Sequence, residues 1–197
     1  MGLVLRTGIV AIVAAALLAL GCGRSNFQTP TNVVNPAPPV RLGEFQSVEV
    51  ADMSVAPAVL EEEKEYDANL VASNIMKQFR SKIQYLTSNW NNDPQRPPTR
   101  GALLIRPVMS QLKWVTRGER VWAGSMYGNS AVVIDIEFAD KADGTVFARP
   151  MLFARANAMG GAWGMQDDAM VTRMAEMMAN YVIQNHASPV GGPTGVE

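Results

Sequence analysis

From residue 45 onward the chain switches between two hydrophobic periods. Phe45 to Val50 sets Phe45, Ser47 and Glu49 against Gln46, Val48 and Val50, a two-residue period that predicts a strand near 46–51. Apolar side chains then recur at Val71, Ile75, Phe79, Ile83 and Leu86, with Ala68 and Ala72 on the same side. Spacings of four and three predict an amphipathic helix over 64–86. Pro94, Pro97 and Pro98 end regular structure, since proline donates no backbone hydrogen bond. Ala102 to Trp114 predicts a second strand, in which Pro107 calls for an edge position, a bulge or an interruption. In 131–138, Val132, Ile134, Ile136 and Phe138 share one face of the clearest strand, while Asp135 and Glu137 share the other. Asp143-Gly144 is a hairpin signal, and 145–156 is the return strand. Met170, Met174, Met177, Met178, Tyr181 and Val182 form one stripe of a last helix over 165–185, with Asp167 and Asp168 near its positive end. The order predicts an α+β fold: a small, mostly antiparallel sheet, β-α-β-β-β-α, with two helices packed on one face.

Ahead of this pattern lies a different one. Arg6 is followed by 13 uninterrupted apolar and small residues, Gly8 to Leu20, and then by Gly21-Cys22. As a helix this run spans only about 20 Å, too short for a bilayer core, and its parts are those of an export signal. Residues 1–21 are therefore expected to be removed. Residues 23–40, rich in Pro, Asn, Thr and Ser with Arg24 the only charge, are expected to be a disordered tether reaching up to about 55 Å from the bilayer. A single domain over 41–187 and a frayed tail over 188–197 complete the expected organisation.

Composition narrows the chemistry. The sequence holds 17 Lys and Arg, 18 Asp and Glu, one Cys and one His. Without Arg6 the remainder carries a net charge of −2, which offers no basic field for nucleic acid. One Cys and one His exclude a disulfide framework and a Cys/His zinc site. No cofactor and no metal are expected. Asp135 and Glu137 could work as an acid/base pair, but cross-strand pairing with Arg149 or Arg155 accounts for them more simply. Asp140 and Asp143 flank a turn and lack the other ligands of a calcium loop. Gly160-Gly161-Ala162-Trp163-Gly164 has no phosphate-loop spacing, and Asp167 and Asp168 would repel a phosphate there. In 124–128 the serine stands second of five, not third as a nucleophile elbow requires, and His186 is the only imidazole. The protein is not expected to be an enzyme. Residues 114–128 carry Trp114, Arg117, Arg120, Trp122 and Tyr127, residue types enriched at interface hot spots, and are the expected partner-binding arm.

Ala19-Leu20-Gly21-Cys22 resembles a bacterial lipoprotein box, with Ala19 where that box usually has Leu. The resemblance implies that Cys22 is a lipid anchor, acylated at sulfur and at its freed amine with palmitate-type chains, and more than one chain anchors stably. Gly23 rather than Asp at the next position implies the outer membrane, facing the periplasm, with the inner membrane and surface exposure left open. The box, the order of elements and 131–138 followed by Asp140 and Asp143-Gly144 together resemble uncharacterised bacterial envelope lipoproteins with a domain of unknown function. More distantly, the layout looks like the small α/β domain of curli-secretion lipoproteins, penicillin-binding-protein activator lipoproteins and the amino-terminal part of the Tol system's periplasmic protein. These resemblances imply a non-catalytic role in binding or assembling an envelope partner, with a homo-oligomer left open. The alternatives are a carboxylate-dependent envelope hydrolase and a ring or pore-forming secretion subunit.

Overall fold

A computed structural model describes residues 27–63, 65–91, 97–115, 129–156 and 165–196. The order of elements is β1 (Val34–Asn35), a 3-10 turn (Leu42–Glu44), β2 (Phe45–Val50), β3 (Ser54–Val55), α1 (Pro57–Glu62), α2 (Glu65–Ser88), β4 (Arg100–Lys113), β5 (Ala131–Asp140), β6 (Val146–Ala148), β7 (Met151–Arg155), α3 (Met165–Ala187) and β8 (Gly192–Pro193). This is the expected α+β fold with two principal helices, elaborated by short elements. The main sheet runs β2, β4, β5, then β6 and β7, with β3 continuing beside β4. β2 and β3 pair with β4 in parallel; the other pairings are antiparallel.

Pro107 lies in a central strand, so the edge option is corrected. Ala51 N–H donates to Ile105 O and Ala56 N–H to Met109 O, so up to the register shift after Met109 the odd-numbered β4 residues direct their backbone groups toward β2 and β3. The N–H that Pro107 lacks would point between β2 and β3, where the neighbouring strand is interrupted. The proline therefore costs the ladder nothing it could have formed. The return strand is likewise divided at Arg149-Pro150 into β6 and β7. Phe138 pairs with Ala148 and Asp135 with Met151, so the register is unchanged across the break. The hairpin forms as expected. Gly144 adopts φ +73°, a conformation that favours glycine, and the Asp140 and Asp143 side chains accept from Ala142 N–H and Thr145 N–H.

Both long helices pack on one face of the sheet. Ile75, Phe79 and Ile83 of α2 and Met170, Met174 and Met178 of α3 join Leu103, Ile105, Ile134, Ile136 and Phe138 in one buried cluster. The methionine stripe is thus core, with Met177 half-buried at its border. α2 and α3 run parallel, since Lys82 pairs with Glu176 at 3.0 Å and Trp90, beyond α2, meets His186 in the last turn of α3.

The termini differ from expectation. Much of the presumed tether and tail is docked: Val34 pairs with Pro193 and Asn35 with Gly192. Asn35 donates to Met151 O and accepts from Met151 N–H, both at 2.8 Å. Phe153 N–H donates to Thr194 O, and Thr194 N–H to Val33 O. Asn185, fully buried, accepts from Val190 N–H and Gly191 N–H and donates to Tyr181 O and Gly191 O. The two chain ends thus clasp each other along the outer edge of β7.

Candidate functional site

The expected arm leaves the sheet where β4 ends and returns where β5 begins. Trp114, half-buried against the core, donates its backbone N–H to the Glu63 carboxylate at 3.0 Å. Val115 N–H donates to Ser130 Oγ at 3.1 Å, and the Ser130 carbonyl accepts from Ala156 N–H at 2.8 Å. Ser130 is fully buried and satisfied by both contacts, so it holds the two ends of the arm side by side and ties them to the end of β7. Of the five proposed partner-binding residues the structure therefore places Trp114. Arg117, Arg120, Trp122 and Tyr127 lie outside the described residues, as do Cys22 and the glycine-rich stretch 160–164.

The face of the sheet away from the helices carries the paired carboxylates. Glu137 is bridged by Arg106 Nη2 at 3.0 Å from the adjacent strand and by Arg149 Nη2 from the return strand. Arg106 Nε is buried without a hydrogen-bond partner among the described residues. Arg149 is the partner anticipated from the sequence; Arg106 comes from the opposite side and was not anticipated. Asp135 stands in register between Val108 and Met151. Glu137 is thus engaged by guanidinium groups from both neighbouring strands.

The rest of that face is partly covered by the amino-terminal segment. Phe27 lies against Phe153, ring centroids 6.3 Å apart, in a small apolar cluster with Ala131, Val133, Met151 and Val196. Gln28 N–H donates to Gln111 Oε1 at 2.8 Å. Between this segment and α1 lies a cavity of about 150 Å³ lined by Phe27, Gln28, Val59, Glu62, Gln111 and Leu112 among others. A shallow groove between α2 and α3 is lined by Asn74, Lys77, Gln78 and Asp168. Nothing in the sequence marked Phe27 and Gln28 as docked; the only available signal was one aromatic residue in an otherwise polar stretch.

At the other end of the sheet, His186 is a structural residue. Its Nε2 lies 2.9 Å from Trp90 O, its ring meets the Trp90 ring edge-on at 4.5 Å, and Trp90 Nε1–H donates to Phe45 O. Among the described residues no group of three or more His, Cys, Asp or Glu side chains could hold a metal ion, and no helix is long and apolar enough to cross a membrane.

No protein-family model and no curated protein matches the chain. Several solved structures align with the chain at low similarity. A PelC dodecamer from Paraburkholderia phytofirmans aligns at 11% identity and TM-score 0.43, over 79% of this chain and 95% of that one. A protein of family DUF330 from Xanthomonas campestris aligns at 11% identity and TM-score 0.41, over 80% of this chain and 95% of that one. A putative lipoprotein from Caulobacter crescentus aligns at 9% identity and TM-score 0.34, over 75% and 90%. At these values none of them assigns the chain to a family.

Proposed function

We propose that the protein is a non-catalytic lipoprotein of the bacterial cell envelope, anchored through acylated Cys22 to the outer membrane, whose periplasmic domain binds or helps assemble an envelope partner. The observation that carries this reading is the run Arg6, Gly8 to Leu20, Gly21-Cys22, which has the charge, length and terminal small residue of a lipoprotein signal. The engagement of Glu137 by two arginines favours binding over carboxylate chemistry. The partner surface we assign begins at Trp114 and includes Arg117, Arg120, Trp122 and Tyr127.

A photoreactive residue placed at Trp114, Arg120 or Trp122 in cells, in wild type and in Cys22→Ser, tests the proposal. The expected result is a crosslink to one envelope protein that is lost without Cys22. Intact mass without acyl chains on Cys22 would end the lipoprotein reading. Turnover of envelope glycan by the purified protein, abolished in Glu137→Gln, would replace the binding reading with the hydrolase.

A further inference from the structure

The docked amino-terminal segment sets how far the domain can stand from its anchor. If all of 23–40 were free, the leash would allow any orientation. Phe27, however, is fixed by the Phe153 ring and Gln28 by the Gln111 side chain. Only five chain steps then separate Cys22 from Phe27, a fully extended reach of about 18 Å.

The fixed point lies near one end of the sheet. Gln111, Val133 and Phe153 form one row across β4, β5 and β7, within two residues of the ends of β4 and β5 at Lys113 and Ala131. Val115, Ser130, Ala156 and α1 belong to the same end. The hairpin turn after Asp140 is at the other, because Asp140 pairs with Leu103, eight residues before Gln111 on β4. At ~3.3 Å per strand residue the two ends are about 26 Å apart. To lay the hairpin on the bilayer, Phe27 would have to stand farther from the anchor than its reach allows.

We infer that the end of the domain bearing Phe27, α1 and Trp114 faces the surface of the bilayer that holds Cys22, and that the hairpin end with Lys141, Trp90 and His186 projects away from it. This end faces the lipid headgroup layer, and a partner taken by the arm that starts at Trp114 is then met beside the bilayer. Charge does not set the orientation, since that end carries both Lys113 and Arg155 at its strand ends and Glu61, Glu62 and Glu63 in and after α1. The short leash does. The inference rests on acylation of Cys22 and turns a flexible tether into a positioning device.

The test uses the full, acylated chain in vesicles of phosphatidylethanolamine and phosphatidylglycerol with a headgroup-labelled acceptor lipid. Cys22 is the only cysteine, so once acylated it leaves a single introduced thiol to carry the donor, at Glu61→Cys or at Ala142→Cys; both positions are exposed. The expected energy transfer places the Ala142 donor about 26 Å higher above the surface than the Glu61 donor. Inserting twenty Gly and Ser residues between Asn26 and Phe27 lengthens the leash without touching the fold and should remove that difference. Equal transfer from both donors in acylated protein, without the insertion, overturns the inference. Protein that carries no acyl chain and fails to float with vesicles overturns the lipoprotein reading instead, so the two failures are separate.

Discussion

Tyr181 joins two parts of the protein through one side chain. Its ring packs near Phe138 in the core, centroids 5.7 Å apart, and its hydroxyl donates to Pro36 O at 3.2 Å, linking α3 to the amino-terminal segment. Burial pushes its pKa from the usual 10.0 up to about 12, because the phenolate would be poorly solvated. A raised pKa keeps the proton in the folded state while the unfolded chain loses it. Stability is therefore complete below about pH 10 and falls as pH rises toward 12, by an amount on the order of 2 kcal/mol. Unfolding free energies from urea titrations between pH 9 and 12 should decline less in Tyr181→Phe than in wild type, from a neutral-pH starting value lower by about 1 kcal/mol for the missing hydrogen bond. An equal decline in both would show that Tyr181 does not titrate in this way. The periodicity put Tyr181 on the core stripe, but its second role depends on Pro36, 145 residues earlier, and no local pattern reports such a contact.

At the scale of elements, periodicity was informative where one face of an element is buried. The β5 alternation, the α2 spacings and the methionine stripe all emerge from that rule, and they are what places the helices on one face. Proline was harder to interpret. Its meaning depends on which side of the strand the missing N–H faces, and that is set by the neighbours rather than by β4 itself. The geometry makes a discriminating prediction. Pro107→Ala should shift the thermal midpoint by the equivalent of less than about 1 kcal/mol, since no bond partner waits in the gap. Val108→Pro, one residue on, removes an N–H directed at β5 and should cost several-fold more, on the order of 3 kcal/mol, or abolish folding. Circular dichroism melts of the two variants would decide it; similar losses in both would mean that the gap is not where the structure puts it.

For the whole molecule, the ends of the chain matter more than their composition suggests. Pro, Gly and Asn-rich stretches resemble linkers because they lack a hydrophobic period, yet Asn35, Asn185 and Thr194 dock these segments by polar contacts, at exposures of 5%, 0% and 0%. A protein beginning at Pro36 would lose the Phe27 contact, both Asn35 bonds and the Val33 acceptor for Thr194. We expect it to fold with a midpoint lower by about 5–10 °C, corresponding to roughly 3 kcal/mol for a domain of this size. An unchanged melting curve would show that the clasp carries no stability. The candidate partner surface, by contrast, could be located from the sequence only through residue type, and the structure adds the buried serine that holds its base.

The clasp also has a temporal consequence. Thr194 Oγ1 donates to Asn32 O across 162 residues, so this contact closes nearly the longest loop the chain can make. Relative to a 30-residue hairpin, that closure costs about 1.5 kcal/mol more in chain entropy and yields little until the sheet edge it covers exists. It is thus placed among the last events of folding. On the proposed reading of Cys22 as an anchor, a chain whose carboxyl-terminal residues have not yet arrived would lack this closure while already held at the membrane. Closure of the clasp would then mark, at the membrane, a molecule that has finished folding.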